Sequence, residues 1–94
     1  MNISFEKFEK PLRLLLDEFE WQEYRNTGVN RLNGGFTHAD YEDFDNEWVY
    51  IELKWGVVDG DENTVHTEQY KIAISDLLDS TLAVSKKVEK IQDA

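Results

Sequence analysis

An α+β fold is predicted: an N-terminal helix, an antiparallel three-stranded meander and a C-terminal helix, with the helices packed on one sheet face. Phe5, Phe8, Leu12, Leu15, Leu16 and Phe19 recur at helical spacing. Val49, Ile51, Leu53, Trp55 and Val57 alternate with Trp48, Tyr50, Glu52, Lys54 and Gly56, the period of a half-buried strand. Leu78, Leu82, Ser85, Val88 and Ile91, with Leu77 and Val84 beside them, return to helical spacing. The 94 residues, 40% hydrophobic and 13% aromatic, predict a single small domain over 1–94 with a modest core, too apolar for a disordered acidic tail.

Pro11 interrupts the first helical pattern. It either opens the main helix at its first turn, after a short turn carrying Phe5 and Phe8, or kinks a longer helix capped by Ser4. The helix is expected to end before Asn26-Thr27-Gly28. Phe36 to Glu42 is expected as an edge strand, because residues 26–47 without one make an unusually long connection. Asp59-Gly60-Asp61-Glu62-Asn63 is turn-forming, and Tyr70, Ile72 and Ile74 alternate with Gln69, Lys71 and Ala73 in the returning strand. Pairing Leu53 with Tyr70, Ile51 with Ile72 and Val49 with Ile74 gathers the apolar side chains on one face and sets Glu52 opposite Lys71. Ser75 or Asp76 is expected to cap the last helix, with Lys86, Lys87 and Lys90 favourable against its dipole.

The net charge of −10 is concentrated in one segment. Between Arg31 and Lys71 a single base, Lys54, stands against ten acids, whereas residues 71–94 balance. Solubility alone explains the sign, but scattering the acids among bases would serve it with less self-repulsion. A concentrated field suggests a basic partner. On a strand, Asp40 and Glu42 stand roughly 7 Å apart on one face, similar to successive phosphates of a nucleic acid. Asp43, Asp45 and Glu47 extend the series, Trp48, Tyr50 and Glu52 lie beside it, and Asp59, Asp61 and Glu62 add charge at the hairpin tip. Carboxylates steer a positive partner while Trp and Tyr supply contact area.

Other chemistries have less to rest on. Asp59, Asp61 and Asn63 open like an EF-hand loop, but Thr64 replaces the required glycine and Tyr70 the bidentate glutamate. Asp43, Asp45 and Glu47 fail similarly, with Lys54 at the twelfth position, so no metal or other cofactor is expected. His38 and His66 are the only histidines and Gly34-Gly35 alone is a turn rather than a phosphate loop, so no enzyme is expected. Phosphates would be repelled, which argues against direct nucleic-acid binding. The absence of cysteine fits a reducing cytoplasm, and the N-terminus lacks the basic and apolar regions of a secretory signal. A cytoplasmic protein without a membrane span is expected.

No motif identifies a family. In size, composition and the Asp40 to Glu47 stretch, this short, cysteine-free, acidic chain resembles phage-encoded DNA-mimic proteins, including anti-restriction and anti-CRISPR inhibitors. Such proteins share charge and shape, so no residue is carried over from them. The resemblance implies an inhibitor that blocks the nucleic-acid-binding face of a basic protein such as a nuclease, restriction enzyme or CRISPR effector, in a host-cell cytoplasm if phage-encoded. Immunity proteins that neutralise basic nuclease toxins look similar by the same criteria, and an adaptor or assembly subunit is a third class. A symmetric homodimer would lengthen the charged track.

Overall fold

In a computed structural model that describes residues 4–29, 34–59 and 62–94, a 3-10 turn at Phe5–Lys7 leads into helix α1 (Glu9–Thr27). Strands β1 (Gly35–Phe44), β2 (Trp48–Asp59) and β3 (Glu62–Ala73) follow, then short helices α2 (Ile74–Leu77) and α3 (Val84–Val88) and strand β4 (Gln92–Asp93). The fold is α+β, as the sequence predicts. The sheet has four strands in the order β1-β2-β3-β4 rather than three, because Gln92 and Asp93 pair with Lys71 and Tyr70. No helix among the described residues is long and apolar enough to cross a membrane.

Pro11 lies in the first turn of α1, where a backbone N–H has no intrahelical partner to lose, and the Leu12 N–H donates to the Phe8 carbonyl at 2.8 Å. The short-turn alternative is therefore the one the chain adopts. The helix continues to Thr27, slightly beyond its expected end, and stops at Gly28, whose φ of 72° is a left-handed cap open to glycine. Phe8, just before α1, and Leu12, Leu15 and Phe19 of α1 pack with Ala39, Val49, Ile51, Leu53 and Ile72 of the sheet and with Ile74 and Leu77 of α2. Phe8 meets Phe44 at 5.0 Å between ring centroids, and Phe19 meets Tyr70 edge-on at 5.4 Å. These contacts lay α1 across the inner face and leave the outer face open.

The β2–β3 register differs from expectation by two residues: Leu53 faces Glu68, Ile51 faces Tyr70 and Val49 faces Ile72. A shift of two preserves the faces, so the predicted core side chains still point inward. Pairing runs on to Asp59 and Glu62, and residues 60 and 61 of the expected turn lie outside the described residues. Ile74 leaves the sheet, its N–H donating to the Glu47 carbonyl at 2.9 Å. Glu52 consequently faces Gln69, and Lys71 faces Tyr50. Gly56 marks a close approach of β2 and β3, where a Cβ would stand 1.9 Å from the Thr64 carbonyl oxygen.

Strand β1 is longer than the predicted Phe36–Glu42 and contains a bulge: Tyr41 faces Ile51, but the next pair is Asp43 with Tyr50. The extra residue, Glu42, lets Phe44 face Val49 and pack against Phe5 and Phe8. The predicted long C-terminal helix is also absent. Asp79 accepts hydrogen bonds from the Thr81 N–H at 2.9 Å and hydroxyl at 2.5 Å, a local turn that competes with helix between α2 and α3. Neither Ser75 nor Asp76 caps it, since the residue preceding α2 is Ala73. Lys86 and Lys87 lie in the last turn of the short α3 as expected, whereas Lys90 lies beyond it, and Lys87 is buried.

Candidate functional site

The turn between β1 and β2 is built on Asp45. Its N–H donates to the Trp48 carbonyl at 2.9 Å, while Oδ1 accepts the N–H groups of Glu47 at 2.8 Å and Trp48 at 2.7 Å. Oδ2 accepts the Tyr50 hydroxyl at 2.8 Å. The Trp48 and Glu47 N–H groups, with the Tyr50 hydroxyl, hold the Asp45 carboxyl below its usual pKa. The same hydrogen bond, followed by burial and the charges of Asp45, Asp43 and Glu47, raises that of Tyr50. Two further aspartates bind the backbone that follows them: Asp40 Oδ1 accepts the Tyr41 N–H at 2.9 Å and Asp43 Oδ1 the Phe44 N–H at 2.8 Å. Because β1 is the sheet edge, these bonds occupy donors that a foreign strand would otherwise use.

Asp40 stands directly opposite Glu52, and the neighbouring pair is His38 with Lys54. Two like charges face each other between a lysine and a histidine, and Lys54 Nζ lies 3.5 Å from Glu52. His38 Nε2 is 3.9 Å from Asp40, and its Nδ1 is 3.3 Å from Glu20 on α1. Across the sheet, Lys71 Nζ sits 4.2 Å from the Trp48 ring centroid, a cation–π contact. The hairpin surface thus gathers Asp40, Glu42, Asp43, Asp45, Glu47 and Glu52, with Lys54 and Lys71 among them.

The predicted row of acids is therefore compressed. Glu42 and Asp43 share one partner position at the bulge, so the regular spacing of roughly 7 Å does not continue past Asp40. Trp48 and Tyr50 do lie beside the acids, but Trp48 is covered on one face by Lys71 and Tyr50 is bonded to Asp45. Asp59 ends β2, about 36 Å along the strand from Trp48, its partner Glu62 begins β3, and Asp61 lies outside the described residues. The candidate residues thus form one cluster at the β1–β2 hairpin and a second location at the β2–β3 end.

Sequence reasoning placed Lys71 on this face but did not count it or His38 among the site residues. The shifted register only moves Lys71 from Glu52 to Tyr50, and His38 lies within the expected edge strand, opposite Lys54. Sequence reasoning also missed a carboxylate group on the inner face, where the Tyr70 hydroxyl donates to Glu68, with Glu23 and Asp93 nearby. Burial first, then the Glu68 hydrogen bond and surrounding acids, pushes the Tyr70 pKa far above the usual tyrosine range. Burial and Glu68 likewise raise that of Glu23. No protein-family model, curated protein or solved structure matches the chain.

Proposed function

We propose that the protein is an acidic inhibitor that covers the nucleic-acid-binding face of a basic protein, with Asp40, Glu42, Asp43 and Glu47 standing in for phosphates. One observation carries this reading: Asp40, Asp43 and Asp45 are each held by backbone N–H groups on an exposed hairpin surface. Carboxylates fixed before encounter lose little side-chain freedom on binding, and a concentrated negative field speeds association with a positive surface. The role is competitive and stoichiometric. The immunity-protein alternative rests on aromatic hot spots and has less support, because Trp48 already contacts Lys71 and the Tyr50 hydroxyl is engaged.

The test is capture of partners from bacterial lysate on the immobilised full chain, with and without excess duplex DNA, alongside a variant carrying Asp40→Asn, Glu42→Gln, Asp43→Asn and Glu47→Gln. Asp45 is left intact because its carboxylate builds the turn. A nucleic-acid-handling protein that duplex DNA displaces, and that the variant fails to capture, supports the proposal. A partner that resists DNA, or that the folded variant captures equally well, overturns it.

A further inference from the structure

A groove runs between α1 and the free side of β1. Toward the end of α1 it opens into a cavity of about 560 Å³, bounded by Asp17, Glu20, Trp21 and Tyr24 of the helix and by Gly35, Phe36 and Thr37 of β1. A separate, smaller depression further along the helix is lined by Phe5, Glu9, Leu12, Arg13, Leu16 and Tyr41, and carries both signs of charge. Trp21 is 53% exposed, yet it is held in a stack, parallel to Tyr24 at 5.6 Å with the Arg25 guanidinium 5.8 Å from its ring. Exposed, ordered Trp and Tyr side chains are characteristic of binding hot spots.

Charge selects the occupant. Among the described residues, the charged groups lining the cavity are the carboxylates Asp17 and Glu20, beside aromatic surface, with Glu20 also 3.3 Å from His38 Nδ1. A guanidinium satisfies both features at once, since it is planar, stacks on rings and bonds to carboxylates, whereas an ammonium is a compact and strongly hydrated point charge.

We infer that this cavity docks an arginine of a partner protein, its guanidinium at Asp17 and Glu20 beside Trp21. The inference rests on different residues from the acidic hairpin and stands whether or not that hairpin mimics nucleic acid. The tryptophans separate the two surfaces, because Trp21 reports the groove and Trp48 the hairpin.

The experiment titrates the ¹⁵N-labelled full chain with acetyl-Leu-Arg-Leu-Arg-Leu-amide, and with the same peptide bearing neutral citrulline for arginine, following the indole N–H signals. The expected result is a saturable shift of Trp21 and of the Gly35 and Phe36 amides, with Trp48 unmoved and the citrulline peptide about tenfold weaker. Trp21→Ala is expected to abolish the Gly35 and Phe36 amide shifts and Asp17→Asn to weaken them, both with an otherwise native spectrum. A flat Trp21 signal, an equal response to citrulline, or shifts centred on Trp48 would each overturn the inference. Failure at Trp21 leaves the hairpin proposal standing, and failure of DNA competition leaves this one standing.

Discussion

Two tyrosines on opposite faces of the sheet each donate a hydroxyl to a carboxylate, and their surroundings give the pairs opposite characters. On the outer face, Tyr50 bonds to Asp45, whose other oxygen is already bound by two backbone N–H groups. That carboxylate is favoured in its charged form. On the inner face, Tyr70 bonds to Glu68 beside Glu23 and Asp93, and both Tyr70 and Glu23 are pushed toward their neutral forms. An acid count treats all of these residues as one kind of charge. The backbone donors around Asp45 turn its charge into structure, whereas burial makes charge at Glu23 a cost.

The largest effect is expected from the inner pair. Tyr70→Ala removes a ring packed edge-on against Phe19 and should lower unfolding stability in urea by about 2–3 kcal/mol. Tyr70→Phe keeps the ring and should cost less than about 1 kcal/mol. If the two variants were equally unstable, the hydroxyl bond rather than ring packing would anchor β3. The outer pair should respond to the acceptor rather than to the ring. Asp45→Ala is expected to lower the urea midpoint more than Asp40→Ala or Asp43→Ala, since it strips an acceptor from two N–H groups and a hydroxyl. Asp45→Asn retains an oxygen acceptor and should recover most of the loss, whereas equal loss in both variants would show that charge holds the turn.

The same contrast explains which features were legible. The α1 stripe and the alternation of β2 were readable because each repeats one period over many residues, and Phe8, Leu15, Val49, Ile51 and Leu53 are indeed fully buried. Features decided by one side chain were hidden. Asp45 and Asp79 each accept N–H bonds from residues just after them, and both were read as charge or as helix interior rather than as turn builders. The β1 bulge had a signal, since Tyr41 and Phe44 both belong inside although strict alternation allows only one of them. The register slipped by two because parity fixes the face but not the pairing partner. Turn length decides that, and the apolar pattern does not contain it.

Acid titration should separate the environments further. For Asp45 and Asp79 the folded pKa lies below the ordinary 3.8, so their contribution is present above that value and is lost as pH falls through the folded pKa. For Glu23 the folded pKa lies above the ordinary 4.5, so its contribution is fully present below 4.5 and is lost as pH rises through the folded pKa. Urea midpoints are therefore expected to rise modestly as pH falls from about 7 toward 5 and to drop below about 4. Glu23→Gln should flatten the upper limb and Asp45→Asn the lower one. A variant that flattens the opposite limb would reverse the assignment.

The smallest effect is also the sharpest, because its sign is unusual. Most substitutions destabilise, but Glu23→Gln at neutral pH removes a partly buried charge from beside Glu68, with Tyr70 and Asp93 close by, while keeping the side chain's shape. Partial exposure screens the repulsion, so the gain should be about 0.5 kcal/mol at low salt. Salt at about 0.5 M should shrink the gain, since the Debye length then falls below the reach of the repulsion. Urea unfolding of the two proteins at both salt concentrations measures the difference. A destabilised variant would mean that Glu23 holds its neighbours together rather than enduring them, and the inner carboxylates would then resemble those of the outer turn.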